Sequence, residues 1–364
     1  MVPDHAHPPR GLIVREASLR EFRSYERLEL VLEGGLVLVT GRNGAGKTNL
    51  LEALHVGTQG FSPRARSDAK LVRLGAAAGR IRLRGEHDAS PFETEVTLHV
   101  NETRRARVNG ETLPSTERLR HTFRTLVFTP DRLAVVKGGP AVRRAYLDRS
   151  VGRLFPARAA VPAEYAAAVG QRNAALRRVS TGISDTAALE PWTAAVVTHG
   201  HDLVESRRAT TEALAPAFTL CAAQLGLEAA TLGYDGDAPS APDLEKRLRA
   251  DLERGVTGLG PHLHDVALSA DGRDLRSFGS QGEQRTAVLA LVLAEAQALV
   301  ERTGAAPLVL LDDVLSELDA TRRRALGELL SGDSQVILTA TSADLLPLEP
   351  AQSLVVSPGA VRPA

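Results

Sequence analysis

The stretch Leu36-Val-Leu-Val-Thr-Gly41-Arg-Asn-Gly-Ala-Gly-Lys47-Thr-Asn-Leu-Leu-Glu-Ala-Leu54 decides how the rest of the chain is interpreted. An apolar run of strand length is followed by the spacing Gly, four residues, Gly-Lys-Thr, and then by a helical pattern rich in Leu, Glu and Ala. This is the order strand, phosphate-binding loop, helix. The alternative is a chance glycine turn between a strand and a helix, and the agreement of all three parts argues against it.

The residue types of this loop suit a nucleotide phosphate with Mg²⁺, so we expect ATP as the ligand. Glycines let the backbone turn several N–H groups toward one anion, and the helix N-terminus adds positive charge. Lys47 is expected to reach the β- and γ-phosphates, and the hydroxyl of Thr48 to hold Mg²⁺. The predicted nucleotide-binding residues of the loop are Gly41, Arg42, Asn43, Gly44, Ala45, Gly46, Lys47, Thr48 and Asn49.

A second part of the site is predicted near the other end of the chain. Pro307-Leu-Val-Leu-Leu-Asp312-Asp313 is apolar throughout, as buried parallel strands are, and it ends in two carboxylates. Asp312 is expected to be the second protein ligand of Mg²⁺, and Asp313 to orient or deprotonate the attacking water. An apolar strand that ends in Asp-Asp is common by chance, but together with the phosphate-binding loop it indicates an ATPase of α/β fold.

Composition excludes several classes of protein. Lys plus Arg and Asp plus Glu are both 44, so the net charge is +0 and any basic binding site must be local. Cys221 is the single cysteine, which excludes an intrachain disulfide and a Cys-x-x-Cys metal site and fits the reducing cytoplasm. The longest apolar stretch, residues 287–300, is interrupted by Glu295 and too short to cross a bilayer, so no membrane partner is expected.

A chain of 364 residues favours two lobes. We predict a disordered lead-in at residues 1–10, the N-terminal half of an ATPase body at 11–115, a compact helical lobe at 116–265, and the C-terminal half of the body at 266–364. The lobe is rich in Ala, Arg, Leu and Glu at helical spacing, and its frequent prolines exclude a long coiled coil.

Residues 80–112 are predicted to form an antiparallel meander with one apolar face. Arg80-Ile-Arg-Leu-Arg84 alternates like a strand, and Asn109-Gly110 is a hairpin signal. The arginines of this strand face the side on which Glu93 and Glu95 are expected. They either contact DNA or form cross-strand ion pairs, and both interpretations stay open.

Other arginines are candidates for binding phosphates. Aromatic residues are only 4% of the chain, so contacts to duplex phosphates are favoured over stacking on single-stranded bases. For any one cluster, a solvated helix face is the alternative. The clusters are Arg104-Arg105-Ala-Arg107, Arg143-Arg144, Arg177-Arg178 and Arg207-Arg208, and the candidates for nucleotide contact are Arg23, Arg64 and Arg66.

The motif Ser280-Gln-Gly282-Glu283 precedes a predicted helix and has two compatible interpretations. Serine followed three residues later by glutamate is a capping box. The motif also resembles the signature of ABC-type ATPases, in which a helix N-terminus presents its serine and N–H groups to the γ-phosphate bound by a second subunit. The resemblance implies that Ser280 and Gly282 bind nucleotide and that Ser280 has a catalytic role. Ser316-Glu-Leu-Asp319 resembles the D-loop of that superfamily.

Within this superfamily, six blocks resemble the RecF family of bacterial DNA replication and repair proteins. They run in order from residue 22 to residue 319 and so cover most of the chain. The blocks are Phe22-Arg-Ser-Tyr25, Gly41 to Leu54, Val127-Phe-Thr-Pro-Asp-Arg-Leu133, Gln171-Arg-Asn-Ala-Ala-Leu176, Gly279-Ser-Gln-Gly-Glu-Gln-Arg285 and Leu311-Asp-Asp-Val-Leu-Ser-Glu-Leu-Asp319.

The resemblance implies a fold, an activity and partners. The fold is an ABC-type ATPase head related to SMC proteins, with a mixed sheet, an antiparallel meander and an inserted helical lobe. The activity is ATP-dependent dimerisation, binding of DNA at junctions of single and double strands, and help in loading RecA at gaps during recombinational repair. The implied partners are DNA, a second copy of the chain, RecO and RecR, and indirectly RecA.

Some positions depart from the wider superfamily. Transporter cassettes usually have glutamate after the magnesium aspartate, and Asp313 is one methylene shorter, so we expect slow ATP hydrolysis suited to a switch. Thr129-Pro130 occupies the place of the usual Q-loop glutamine, and Thr339-Ala-Thr341 stands where a transporter has histidine. A transporter-type cassette and an SMC-like structural head are the alternative functions.

Overall fold

The computed structural model describes residues 11–65, 67–332 and 334–364. The predicted lead-in at residues 1–10 therefore lies outside the described residues. The chain divides into two compact units. The first unit consists of the described residues up to Leu133, Cys221–Gly226 and Val288–Ala364, and the second of Ala134–Leu220 and Leu227–Ala287.

The regular elements of the described residues are numbered here in chain order. The strands are β1 Leu12–Phe22, β2 Tyr25–Val31, β3 Leu36–Thr40, β4 Ala78–His87, β5 Ser90–His99, β6 Arg105–Val108, β7 Glu111–Thr112, β8 Thr125–Phe128, β9 Ala230–Asp235, β10 Asp265–Ala270, β11 Arg273–Asp274, β12 Leu308–Leu311, β13 Val336–Ala340, β14 Gln352–Ser357 and β15 Ala360–Pro363. The helices are α1 Lys47–Gln59, α2 Glu117–Thr122, α3 Ala134–Lys137, α4 Pro140–Leu154, α5 Val161–Ser180, α6 Glu190–Gln224, α7 Ala241–Lys246, α8 Leu248–Arg254, α9 Leu275–Phe278, α10 Gln281–Thr303 and α11 Ala320–Leu330.

The first unit contains a mixed sheet in the order β15-β14-β3-β13-β12-β8. All neighbouring strands are parallel except β15, which pairs antiparallel with β14. Strands β8, β12 and β13 are buried along their whole length, which explains their continuous apolar sequences. The carboxyl ends of β3, β12 and β13 therefore lie side by side at one edge, where the phosphate-binding loop follows β3.

A second, antiparallel sheet of the first unit has the order β2-β1-β4-β5-β6-β7. It includes the predicted meander and adds β1 and β2 to it. Its strands alternate between buried apolar and exposed polar residues, so one face packs inward as predicted. One hydrophobic core joins this face, helix α1 and the mixed sheet, and Leu19, Leu83, Leu54 and Val39 are among its members.

The second unit combines helices with a small antiparallel sheet in the order β11-β10-β9. Tyr165, Val196, Leu203 and Leu244 form one of its apolar clusters. Among the described residues the longest helix, α6, has 35 residues and contains Pro216, and no long coiled coil is present. The α/β head with a mixed sheet, a meander and a helical insertion is confirmed.

The boundaries of the units differ from the predicted ones. The lobe was predicted at 116–265, but the second unit begins at Ala134 and extends to Ala287. Helix α2 and strand β8 belong to the first unit because β8 pairs in parallel with β12, with Leu126 opposite Val309. Strand β10 belongs to the second unit because it pairs with β9. These pairings join segments far apart in sequence, so the local composition did not reveal them.

The helices of the described residues differ from membrane-spanning helices. None of them combines the length and the apolarity that crossing a bilayer requires.

Candidate nucleotide-binding site

The phosphate-binding loop connects β3 to α1, and two of its glycines are required by positive φ angles and close neighbouring atoms. Gly41 has a φ of 153°, and a Cβ there would lie 2.5 Å from the carbonyl oxygen of Val356. Gly46 has a φ of 117°, and a Cβ there would lie 3.0 Å from the Ser24 Oγ and 3.0 Å from the Tyr25 hydroxyl. A side chain at either position would strain the loop.

Tyr25 stabilises the phosphate-binding loop through a hydrogen bond. Its hydroxyl donates a hydrogen bond of 3.0 Å to the carbonyl oxygen of Gly46, and the side chain is fully buried. Burial raises the pKa of Tyr25, so the hydroxyl stays a donor. Asn49 adds a second connection to this segment, because its Nδ2 donates to the Ser24 Oγ over 3.0 Å. The sequence drew attention to the block at 22–25 only through its family resemblance.

Lys47 is the first residue of α1, and its side chain folds back over the loop. The Nζ atom donates hydrogen bonds to the carbonyl oxygens of Gly41 and Arg42, at 2.5 and 3.2 Å. Burial lowers the pKa of Lys47, while the carboxylates of Asp313 and Asp312 raise it. The ammonium group thus has two neutral acceptors and two nearby negative charges, and a phosphate is a stronger acceptor than either carbonyl.

Asp312 follows β12 and brings the two ends of the predicted site together. Its carboxylate oxygens accept hydrogen bonds of 3.0 and 2.9 Å from the Thr48 hydroxyl, across 264 positions of sequence. Thr339 on β13 donates a further hydrogen bond of 2.9 Å to Oδ1. Burial raises the pKa of Asp312, and the hydrogen bonds from Thr339 and Thr48 lower it. The parallel pairing of β12 with β13 places these groups side by side.

Asp313 has an unusual backbone conformation, with a φ of 51°. Its N–H donates to the Thr339 Oγ1 over 2.9 Å, so Thr339 contacts both aspartates. The Oδ1 atom of Asp313 is buried and has no hydrogen-bond partner within the part of the chain that the structure describes. Thr339 was noted in the sequence only as replacing a histidine, and its supporting role was missed.

A cavity of about 340 Å³ collects these groups. Its lining includes Lys47, Thr48, Asp312 and Asp313 together with Arg64. The Thr48 hydroxyl and the Asp312 carboxylate are oxygen donors of the kind that Mg²⁺ prefers, and they lie within hydrogen-bond distance of each other, so they fit such an ion. The predicted loop residues Asn43, Gly44, Gly46 and Asn49 also line the cavity, whereas Gly41 and Arg42 contact Lys47 through their carbonyls and Ala45 is buried.

Glu52 on α1 organises the arginines near the loop, which the sequence did not predict. Its side chain is 1% exposed and forms a bidentate ion pair with Arg23, at 2.8 and 2.9 Å. The Ser62 hydroxyl donates to it over 2.5 Å, and Arg64 lies 3.8 Å away. Arg23 is therefore paired with Glu52 rather than fully solvated, and Arg64 lines the cavity; contact of either arginine with a nucleotide stays a prediction. Arg66 lies outside the described residues.

Ser280 and Glu283 form the capping box at the start of α10. The Ser280 N–H donates to Glu283 Oε2 over 2.7 Å, and the Glu283 N–H donates to the Ser280 Oγ over 3.2 Å. The capping interpretation is confirmed. Ser280 and Gly282 are exposed and belong to the second unit. Their contact with a phosphate of another subunit stays a prediction.

Asp319, at the end of the D-loop-like segment, caps α11. Its carboxylate accepts hydrogen bonds from the N–H groups of Thr321 and Arg322, at 3.0 and 2.9 Å. Ser316 is exposed, and its hydroxyl donates to the carbonyl oxygen of Asp313 over 3.1 Å. The segment is therefore connected directly to the acidic end of β12.

One arginine from each of two predicted basic clusters is committed to the packing of the second unit. Arg143 is buried and forms a bidentate pair with Asp265 at 2.7 and 2.5 Å. Arg207 is buried and pairs in the same way with Asp148 at 2.7 and 2.9 Å. These two side chains would have to leave buried positions and break their ion pairs to bind DNA.

The meander arginines also have protein partners. Arg82 lies 2.7 Å from Glu95 and Arg84 lies 2.6 Å from Glu93, so the cross-strand ion pairs are confirmed. In the cluster at 104–107, Arg104 is half-buried and lies 2.6 Å from Asp68.

Comparisons with known proteins agree with the geometry. The description "RecF/RecN/SMC N terminal domain" matches residues 13–356. The chain is 36% identical over 356 residues to the DNA replication and repair protein RecF of Frankia alni, with 91% of this chain and 94% of that protein covered. The chain belongs to the RecF family. RecF of Myxococcus xanthus is 37% identical over 347 residues, covering 90% of each chain.

Solved structures support the same family. A RecF–ATP structure of the recombination mediator protein in the RecFOR pathway superposes with a TM-score of 0.88 at 28% identity, covering 99% of this chain and 100% of that one. An Smc head domain from Pyrococcus furiosus, bound to the C-terminal domain of ScpA, has a TM-score of 0.59 at 16% identity, which shows the fold alone. The resemblance to RecF found in the sequence is confirmed.

Proposed function

We propose that this chain is an ATP-dependent, DNA-binding recombination mediator of the RecFOR pathway. It pairs on ATP, binds junctions of single- and double-stranded DNA, and acts with RecO and RecR to help load RecA at gaps. The observation that carries the proposal is the Thr48–Asp312 hydrogen bond, which joins the phosphate-binding loop to the acidic strand end. RecF relatives named for DNA replication and repair, and a RecF–ATP structure, support it.

Lys47 binds the phosphates in this proposal. Its ammonium group exchanges the carbonyls of Gly41 and Arg42 for oxygens of the β- and γ-phosphates. Thr48 and Asp312 hold Mg²⁺, which neutralises charge on the same phosphates when it is bound. Thr339 keeps the carboxylate of Asp312 in position for this role.

Asp313 orients the attacking water in this proposal, because the residue lines the cavity and its buried Oδ1 has no hydrogen-bond partner among the described residues. The side chain is one methylene shorter than the glutamate usual in transporter cassettes, so a water at its oxygen would lie farther from a bound γ-phosphate. We therefore propose slow hydrolysis, with the bound and hydrolysed states acting as a switch.

A second cavity of about 590 Å³ is proposed to receive the base and ribose. Asn49 lines both this cavity and the phosphate cavity, so the two are neighbours within the first unit. Ser24 and Val72 also line it. The side chain of Val72 is 6% exposed and supplies an apolar wall.

The signature motif is proposed to complete the site of a second copy of the chain. The capping box uses the N–H groups of Ser280 and Glu283, and neither capping hydrogen bond uses those of Gln281 or Gly282. An anion at this helix end is stabilised by the helix dipole. The γ-phosphate held by one subunit thereby joins it to the other.

Size-exclusion chromatography with saturating ATP tests the proposal. The unaltered chain is expected to elute as a dimer. Lys47→Met is expected to lose ATP binding and pairing together, and Ser280→Arg to keep ATP binding and lose pairing. Lys246→Met, at a lysine that is 76% exposed, is the control and is expected to behave like the unaltered chain. An unaltered chain that stays monomeric with ATP and DNA would contradict the proposal.

A further inference from the structure

The outer face of the antiparallel sheet carries a row of arginines that the nucleotide site does not use. Strand pairing sets Arg27 opposite Arg20, Arg20 opposite Arg80, Arg80 opposite Thr97, and Thr97 opposite Arg105. These five residues lie on consecutive strands, β2, β1, β4, β5 and β6. The four arginines are called the arginine row below.

Like charges that face each other across strands destabilise a sheet. Arg20 has an arginine opposite it on both neighbouring strands. The side chains of the row are exposed, at 65% for Arg27, 48% for Arg20, 52% for Arg80 and 71% for Arg105. Folding alone gives no reason for this arrangement, since the inward face of the same strands supplies the core.

The row is paired more loosely than the arginines beside it. Among the described residues, the nearest carboxylates lie 3.9 Å from Arg27, 3.6 Å from Arg20, 3.7 Å from Arg80 and 3.4 Å from Arg105. Arg27 and Arg20 share the carboxylate of Glu29 as their partner. The carboxylate near Arg80 is that of Glu95, which lies closer to Arg82, at 2.7 Å. By contrast, Arg84 is 2.6 Å from Glu93. The positive charge of the row is therefore less completely compensated than that of Arg82 and Arg84.

The dimensions of the row fit a nucleic acid backbone. Adjacent strands lie about 4.8 Å apart, so the four intervals from β2 to β6 span about 19 Å. Phosphates of one DNA strand advance about 3.4 Å each along the axis, so the row matches about five or six of them. A depression of about 630 Å³ lies over this face, and its charged lining consists of four arginines and two glutamates, namely Arg20, Arg80, Arg82, Arg84, Glu16 and Glu29. Outward residues of these strands lack the aromatic anchors of protein interfaces among the described positions.

We infer that the arginine row binds the phosphate backbone of duplex DNA. The inference rests on the proposed function, to which it adds the contacting surface. Because phosphates are read without regard to base identity, the contact is independent of sequence and sensitive to salt. The exposed arginine row differs in this respect from Arg143 and Arg207, which are buried and paired with aspartates of the second unit.

Fluorescence anisotropy with a labelled duplex, in saturating ATP and between about 50 and 200 mM salt, tests the inference. The double variant Arg20→Gln with Arg80→Gln removes two charges from the row. The control, Arg249→Gln with Arg254→Gln, removes two charges from the exposed surface of α8. The row variant is expected to bind at least about tenfold more weakly at the higher salt, and its slope of log Kd against log salt to fall by about 2. The control is expected to match the unaltered chain.

Thermal unfolding of the same variants separates binding from structure. Removal of Arg20 and Arg80 relieves like-charge contacts, so the row variant is expected to be at least as stable as the control.

Equal affinity and equal salt slope in the row variant and the control would overturn the inference and leave the proposed function standing. Equal duplex binding with loss of poly-glutamate binding in the row variant would assign the row to an acidic protein instead. An unaltered chain that binds ATP but no duplex would overturn the proposed function and this inference together.

Discussion

The nucleotide site and the second unit handle charge in opposite ways. At the site, Lys47 donates to carbonyl oxygens, and Asp312 accepts from hydroxyl groups. In the second unit, Arg172 pairs directly with Asp251 at 2.8 Å, and both side chains are at most 2% exposed. In the first arrangement the charged groups bond to neutral partners, and a bound ligand can replace those partners. The second arrangement uses its charges to hold helices together, and breaking such a pair leaves an uncompensated buried ion.

The same contrast separates the arginines of the antiparallel sheet. Arg82 and Arg84 are within 2.7 Å of glutamates, whereas the arginine row is not. Sequence clusters of arginine therefore say little about binding until the partners are known. Charges that lack a close partner are the candidates for ligand contact.

The largest effect is expected where charge is structural. Asp251→Asn leaves Arg172 buried beside a neutral partner, so we expect a loss of about 3–5 kcal/mol in the free energy of unfolding. Urea unfolding measures it. Glu253→Gln on the same helix is the matched control, because its partner Arg249 is 94% exposed and such pairs contribute about 0.5 kcal/mol or less. A loss below about 1 kcal/mol for Asp251→Asn would show that the buried Arg172–Asp251 pair does not hold the second unit together.

An intermediate effect is expected at Thr339, which hydrogen-bonds to both aspartates of the nucleotide site. Thr339→Val keeps the shape but removes the hydrogen bonds to Asp312 and from the Asp313 N–H, so we expect about 1–3 kcal/mol of destabilisation and Mg²⁺-dependent ATP binding about tenfold weaker. Calorimetry with ATP and Mg²⁺ measures the binding. Thr341→Val, at an exposed position just past β13, is the control. Unchanged affinity in Thr339→Val would show that the hydroxyl does not position the aspartates.

The smallest effect is a pH dependence. Burial raises the pKa of Asp312 above the ordinary value of about 3.9. Ionising it in the folded chain costs more than in the unfolded chain, so its contribution to stability falls as the pH rises through the raised pKa. Mg²⁺ needs the ionised form, so Mg²⁺–ATP affinity is expected to rise over the same interval. Titration by calorimetry checks this, and Asp312→Asn is expected to lose that dependence. Affinity that falls as the pH rises would contradict it.

The sequence predicted those parts of the nucleotide-binding site that are indicated both by the spacing of a motif and by the chemistry of its residues. The spacing of the loop and the apolar strand that ends at Asp312 were enough to place Thr48 and Asp312 in one site, 264 positions apart. Two parallel strands that end at one sheet edge bring their following residues together regardless of the length of chain between them.

Other features depended on contacts that no local pattern encodes. Thr339 meets the aspartates only because β13 pairs with β12, and Glu52 reads as an ordinary polar position of α1 although it is buried against Arg23. A carboxylate within an otherwise apolar helical stretch is the signal that could have identified Glu52. The start of the lobe was misplaced because the short strand β8 lies within a helix-like composition.

Mixing two inactive variants tests the shared site most directly. Lys47→Met lacks a working loop, and Ser280→Arg lacks a working signature. If each site combines the loop of one subunit with Ser280 of the other, a mixed dimer contains one intact site. Size-exclusion chromatography of the mixture with ATP is then expected to show a dimer that neither variant forms alone. A mixture that stays monomeric, while the unaltered chain pairs, would contradict the shared site.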